Sequence, residues 1–513
     1  MAQRSQWGTR AGFIMAAVGS AVGLGNIWRF PYVAYENGGG AFFIPYLFAL
    51  LTAGIPILIM EFTIGHKYRG SAPLSFFRME GKKAEWIGWW GIFVAFVVST
   101  YYSVIIAWAM KYTVYSFNLK WGADTESFLF GDVLNLAETP GQVGGFVPGV
   151  VFPLLLVWAI AFIILFAGVK RGIELANRIF IPTLIVVFLI VVIRAVSLDG
   201  AMLGLDAFFK PDLSKLANPT VWVAAYGHIF FSLSIAFAIM ITYSSYLPKK
   251  SDITNNAFIT GFANSGFELL AGIGVFAALG FMATQANVAV ADVASAGVGL
   301  AFVVFPEIIN QMPGMNGLFG VLFFLSLVLA GLSSLVSIAE TYIAGISDKF
   351  NVSRSKSVII GVGLSATVSL LFATQGGLFF LDAADYFINQ FGVAAIGLVE
   401  VVLIAWVFRK LDVFEKHANG ISDIRLGAWW KICLGLITPL VLGYMMFGLL
   451  KMNILKEHVD ETGAVIGNYE GYTDTFILYG GWSVALFALV MGIIFSLSKW
   501  KKNTLETSDY KED

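Results

Sequence analysis

Gly19-Ser20-Ala21-Val22-Gly23-Leu24-Gly25-Asn26-Ile27-Trp28-Arg29-Phe30-Pro31 sits inside the first long apolar segment of a 513-residue chain. Each glycine in a helix interior costs about 1 kcal/mol relative to alanine, and three of them fall here within seven positions. Gly19 and Gly23 also form a small-xxx-small pair suited to close helix packing. Packing leaves Asn26 and Arg29 unexplained, because a central arginine costs about 2.5–3.5 kcal/mol in a membrane helix. Backbone leaves helical geometry at membrane depth only where it is buried in protein or lines a cavity. The stretch therefore predicts a membrane helix interrupted near the bilayer midplane.

Composition supports a membrane setting. The chain is 58% hydrophobic, 15% aromatic and 13% charged, with a mean hydropathy of +0.79. Soluble domains carry about 25% charged residues, so a soluble enzyme or a disordered scaffold is excluded. A net charge of −1 leaves no basic field for nucleic acid. The single Cys433 excludes an internal disulfide.

A span needs about 20 apolar residues. Twelve candidates are found, at about 11–36, 40–65, 86–118, 148–168, 176–197, 220–246, 256–284, 316–346, 356–374, 377–408, 428–450 and 473–498. The start, MAQRSQW, lacks a signal-peptide pattern. With both termini placed in the cytoplasm, 24 of the 32 Lys and Arg residues fall on the inner side, as the positive-inside rule requires. Shifting the topology by one span reverses most of that asymmetry. The tail LETSDYKED is charged and reads as disordered.

The sixth segment, 220–246, is the counterpart of the first. Ser232-Leu233-Ser234 lies at its middle, among Phe230, Phe231 and Phe237, with His228 one turn earlier. Two interrupted segments at corresponding positions of two five-helix halves point to an inverted-repeat secondary transporter. Half-helix N-termini suit an anionic group, and freed carbonyls suit Na⁺. The serines alone are weak evidence, since hydroxyls in membrane helices commonly bond back to their own backbone.

At this point the chain resembles the neurotransmitter:sodium symporter family, in particular its bacterial amino-acid members of leucine-transporter type. The resemblance rests on Arg4-Ser5-Gln6-Trp7, Gly19–Pro31, Glu36–Gly40 (ENGGG) and Tyr101-Tyr102. It continues through Phe230–Phe237, Asn264, Ala330–Ser334 (AGLSS) and Leu381–Asp385, and so covers about the first ten spans. It implies an all-α integral membrane protein of about twelve transmembrane helices, a 5+5 inverted repeat with helices 1 and 6 broken, plus two C-terminal helices. On that plan residues 1–10 form a cytoplasmic gate segment, 11–197 the first repeat and 220–408 the second. Residues 428–498 hold helices 11 and 12, read as packing or homodimer-contact helices, and 499–513 form a cytoplasmic tail.

The resemblance implies two sodium sites. Ala21, Asn26, Ser232 and Asn264 make the first, completed by the substrate carboxylate. Gly19, Val22, Ala330, Ser333 and Ser334 make the second. Hard cations favour such carbonyl, amide and hydroxyl oxygens, and Ala330, Ser333 and Ser334 share one helix face. Each serine and asparagine also has a plain reading as helix packing or an interhelical hydrogen bond. Substrate is expected among Ala21, Leu24, Gly25, Val98, Tyr102, Phe231, Ser232, Ser234, Phe237, Ser334 and Ile338. Gly23 stands where amine-transporting relatives carry Asp, which favours an α-amino acid bringing its own carboxylate. An apolar wall favours a neutral, hydrophobic side chain, aliphatic before aromatic. Ala236 replaces a family glycine and implies a slightly tighter pocket.

The resemblance further implies an outer gate of Arg29 paired with Asp385 over Tyr102 and Phe231, and an inner gate of Arg4, Trp7 and Asp348. Glu268 occupies the position of a serine in chloride-dependent relatives and is read as an anion surrogate, so chloride is not expected. Tyr46 matches that anion site, whereas His228 replaces the usual Gln. Glu61 and Glu400 are read as braces of the broken helices. No organic cofactor is expected. The expected activity is sodium-coupled import of a neutral hydrophobic L-amino acid across the plasma (inner) membrane by alternating access, without chemistry. Alternatives are an aromatic amino-acid carrier, a non-transporting sensor and an ion channel. A channel needs a polar filter or charged rings, where only scattered polar residues occur. An enzyme needs a catalytic motif, and neither H-E-x-x-H, a P-loop nor G-x-S-x-G is present.

Overall fold

The computed structural model describes residues 5–459 and 463–501; Arg4 and the tail from residue 502 lie outside the described residues. Ten helices are long and apolar enough to cross a bilayer: Gly40–Tyr68, Lys82–Tyr115, Pro148–Phe166, Val169–Val196, Ile253–Ala286, Asn316–Phe350, Arg354–Ala373, Gly377–Val407, Ala428–Leu455 and Asp474–Leu497. The first span is the bent pair Arg10–Ala21 and Leu24–Glu36, whose halves meet at 55°. The sixth is divided into Pro219–Ser232 and Ile239–Ser244, each half too short to cross alone. The two helices expected to break are thus broken; among the described residues ten continuous spans and the bent first pair are apolar and long enough to cross, and the divided sixth segment, counted with them, matches the expected twelve.

The breaks have local causes. In the first span the Val22 and Gly23 backbones are extended, and the Leu24 helix restarts beyond them. Glycine is required at Gly19, where a Cβ would stand 2.3 Å from Ser333 Oγ, and at Gly25, where it would stand 2.9 Å from Phe231. In the sixth span Ser234, Ala236 and Ala238 all take positive φ, at 53°, 64° and 62°. Left-handed backbone at a non-glycine residue costs about 1–2 kcal/mol, so neighbours must hold this segment. Glu61 Oε1 does so by accepting the Ala236 N–H at 2.6 Å, and the Ser20 carbonyl by accepting Ser234 Oγ at 2.9 Å.

Burial sorts the remaining spans. The third is 83% buried across its apolar window, whereas the fourth, fifth, eleventh and twelfth are each 33% buried. Phe152, Ile163 and Phe447 on those outer helices are exposed; lipid tails are as apolar as they are, so the exposure carries no penalty. The third and eighth spans pack along their lengths at the centre and carry Tyr102 and Ser334 toward the first-span break. Between the seventh and eighth spans the chain forms a further short helical segment, Gly297–Gln311, that hydropathy alone did not reveal.

Candidate functional site

Where the first and sixth spans break, a small cavity opens between their ends. Every residue expected to touch substrate lines it: Ala21, Leu24, Gly25, Val98, Tyr102, Phe231, Ser232, Ser234, Phe237, Ser334 and Ile338. Gly23, Asn26, Tyr101 and Asp385 line it too. Tyr102 Oη accepts the Leu24 N–H at 3.1 Å, which puts a phenol and the start of a half-helix at one end. Val98, Phe237 and Ile338 supply apolar lining to the same cavity. Ala236 is not among the residues that line the cavity; it lies in the left-handed stretch of the sixth-span break. A larger, lipid-facing groove between Phe48, Trp222 and Tyr444 carries no such convergence of polar groups.

The expected first sodium ligands form one buried cluster. Asn26 Nδ2 donates to Asn264 Oδ1 at 2.8 Å, Asn264 Nδ2 donates to Ser232 Oγ at 2.6 Å, and Asn26 Oδ1 accepts the Gly23 N–H at 2.8 Å. Glu268 lies directly behind, fully buried. Its Oε1 accepts from Ser232 Oγ at 2.5 Å and Asn26 Nδ2 at 3.2 Å, with His228 Nε2 at 2.7 Å, and its Oε2 accepts from the Tyr46 hydroxyl. Four polar groups from the first, second and sixth spans converge on one carboxylate, as they would on a bound anion.

The expected second site gathers where the eighth span crosses the first. Ser333 Oγ donates to the Gly19 carbonyl at 2.8 Å, and Ser334 Oγ lies 3.3 Å from that oxygen and 3.2 Å from the Ser20 carbonyl. Val22 is buried at the break and Ala330 one turn before Ser333. Asn177 of the fifth span, not anticipated, joins this cluster with Oδ1 2.5 Å from Ser333 Oγ. Its only signal was a lone amide in an apolar segment, which does not say what it faces.

At the outer end the expected pairing of Arg29 with Asp385 is not formed. The Asp385 carboxylate instead accepts from the Tyr101 hydroxyl at 2.7 Å and Asn389 Nδ2 at 2.9 Å. The Arg29 guanidinium rests 5.1 Å over the Phe231 ring, and no ion pair within 4 Å joins the two. Neutral donors satisfy the carboxylate and the aromatic face holds the cation, so the two charges stand apart. At the inner end Trp7 is buried, with Nε1 donating to the Tyr243 carbonyl at 2.8 Å and N–H to the Tyr246 carbonyl at 3.1 Å. Gly8 N–H and Thr9 Oγ1 bond to Glu174 at 2.6 and 2.9 Å. Asp348 accepts the Ser71 N–H at 2.8 Å; its expected partner Arg4 lies outside the described residues. The segment before the first span is thus latched through Trp7 to the second half of the sixth span.

This combination, a cavity between two broken helices of a bundle of apolar spans with oxygen-rich clusters beside it, is that of a membrane transporter rather than an enzyme. The model of the sodium:neurotransmitter symporter family matches residues 4–139 and 122–503, and the chain belongs to that family. An uncharacterized sodium-dependent transporter of Methanocaldococcus jannaschii is 40% identical over 497 residues, covering 97% of this chain and 98% of its own. The sodium- and chloride-dependent taurine transporter of Bos taurus is 30% identical, covering 95% of this chain and 83% of its own. Among solved structures, MhsT in complex with L-phenylalanine superposes with a TM-score of 0.74 at 31% identity, covering 87% of this chain and 99% of that one. The chain is a multi-pass, sodium-dependent symporter of this family, with the fold of MhsT.

Proposed function

We propose that the chain imports a neutral α-amino acid with a bulky apolar side chain, coupled to two sodium ions and independent of chloride. The reading is carried by one arrangement: Tyr102 and the start of the Leu24 half-helix line the same cavity as the apolar side chains Val98, Phe237 and Ile338. The positive end of the half-helix suits a carboxylate, and Gly23 brings no competing charge. The substrate carboxylate then completes the shell of the first ion beside Asn26, Ala21, Ser232 and Asn264. Gly19, Val22, Ala330, Ser333 and Ser334 hold the second. Glu268 supplies the fixed negative charge that chloride supplies elsewhere. Arg29 and Asp385 close over Tyr102 and Phe231 once substrate is bound, and the Trp7 latch opens to release it inward.

An aliphatic side chain fits this wall first. An aromatic one is the second reading, favoured by the solved complex of MhsT with L-phenylalanine. The energetics suffice: two charges crossing 100 mV yield about 4.6 kcal/mol, enough for about a thousandfold accumulation. The test is uptake of a panel of amino acids into proteoliposomes, with Na⁺ or K⁺ outside and chloride or gluconate as anion. Sodium-dependent, saturable uptake of leucine- or phenylalanine-like substrates in gluconate is expected. Uptake confined to small or charged substrates, or an absolute need for chloride, defeats the proposal.

A further inference from the structure

The extracellular connection between the eleventh and twelfth spans grips one face of the tenth span. Phe379, Asp382 and Tyr386 lie at i, i+3 and i+7 on Gly377–Ile388 and so share a face. Asp382 Oδ1 accepts the Tyr469 hydroxyl at 3.0 Å and Oδ2 the Tyr472 hydroxyl at 2.9 Å. Among the described residues no Lys or Arg lies within 4 Å of this carboxylate, so its two oxygens are held by phenols and not by a cation. The Tyr386 ring stacks on Tyr469 at 3.9 Å, and its hydroxyl accepts from Asn453 Nδ2 at 2.9 Å. Tyr472 meets the Phe379 ring edge-on at 6.3 Å.

The connection is itself closed. His458–Val459 pairs antiparallel with Val465–Gly467, and Asp474 accepts from Lys456 Nζ at 2.6 Å and from Asn468 Nδ2 at 2.8 Å. Burial, reinforced by the Asp382 charge, holds the Tyr469 and Tyr472 phenols above their ordinary pKa, so they remain donors at working pH. Asp385 stands on the next turn of the same helix, facing Tyr101 and the cavity.

We propose that Asp382 is a positioning residue for the outer closure: the Tyr469–Tyr472 clasp upon it fixes the outer end of the tenth span so that Asp385 stands over the substrate cavity. A loosened clasp lets Asp385 drift, and bound substrate escapes outward sooner. This rests on the reading of Asp385 as part of the outer gate.

The test measures release of radiolabelled L-leucine or L-phenylalanine, whichever the uptake panel selects, from the full-length transporter in Na⁺. Tyr469→Phe with Tyr472→Phe removes only two hydroxyls, which avoids the folding risk of truncating Asp382. Losing two hydrogen bonds worth about a factor of three each predicts release about five- to tenfold faster, with KM raised and maximal uptake within about twofold. Asp385→Asn is expected to speed release as well, and the triple variant to release no faster than Asp385→Asn alone, because both changes act through one group. Unchanged release in the tyrosine pair, or effects that multiply in the triple variant, overturns the clasp while leaving the gate intact. Unchanged release in Asp385→Asn overturns the gate reading and the clasp with it.

Discussion

Replacing Glu268 by Ser removes a carboxylate from directly behind the cluster proposed to hold the first sodium ion. Ser232 Oγ lies 2.5 Å from Glu268 Oε1. A hard cation binds oxygen at about 2.4 Å, so an ion held by Ser232 stands within about 5 Å of that carboxylate. At an effective dielectric constant of about 20, unit charges at that separation interact by about 3 kcal/mol, or about two hundredfold in affinity. Tyr46, Asn26 and His228 also lose their shared acceptor. Serine leaves room for an anion that the same groups can bind. Glu268→Ser is therefore expected to lose about a hundredfold or more in apparent sodium affinity in gluconate, and to recover most of it, saturably, with chloride. Glu268→Gln fills the same space without the charge and is expected to lose affinity without chloride rescue. The assay is sodium-dependent uptake, or equilibrium binding of radioactive sodium, with chloride exchanged for gluconate. Sodium affinity within about twofold of the parent in gluconate would refute the reasoning.

Gly23→Asp places a carboxylate where a Cβ would stand 3.0 Å from Tyr102 Oη. Like charges about 4 Å apart repel by about 4 kcal/mol at the same dielectric constant, so amino-acid binding is expected to fall about a thousandfold, whereas decarboxylated amines bind no worse than before; scintillation-proximity binding reads both. Gly19→Ala drives a methyl into Ser333 Oγ and Asn177 Oδ1, which would stand 2.3 and 2.5 Å away, and is expected to abolish sodium-driven uptake while leaving the protein in the membrane. Trp7→Ala removes a buried indole packed edge-on against Phe13, Tyr243 and Tyr246. Losing such packing costs about 3–5 kcal/mol, so the inner side is expected to open, and a reporter cysteine at Ser20 should label faster from the cytoplasmic side.

Sequence patterning reached far into this molecule, and its misses share a cause. The break in the first span was legible because glycines, an amide and an arginine cannot be lipid-facing helix together. The break in the sixth was harder, since Ser234, Ala236 and Ala238 adopt left-handed backbone that their side chains do not advertise. Ala236 shows the limit of reading a substitution by size alone: it takes left-handed backbone within the break and is not among the residues that line the cavity. Arg29 and Asp385 were expected to meet on the family resemblance, yet Tyr101 and Asn389 bond the carboxylate and the Phe231 ring lies under the guanidinium.

Hydropathy marks which segments are apolar enough to lie in lipid, and glycines and polar residues within them mark where helix is interrupted, because these are properties of a segment and its solvent. Which oxygens meet is another matter. Ser333 finds Asn177 across 156 positions of chain, and Asp382 finds Tyr469 and Tyr472 across 87 and 90. No local periodicity encodes such pairings; they arise when twelve helices pack and each buried polar group must find a partner where water is absent.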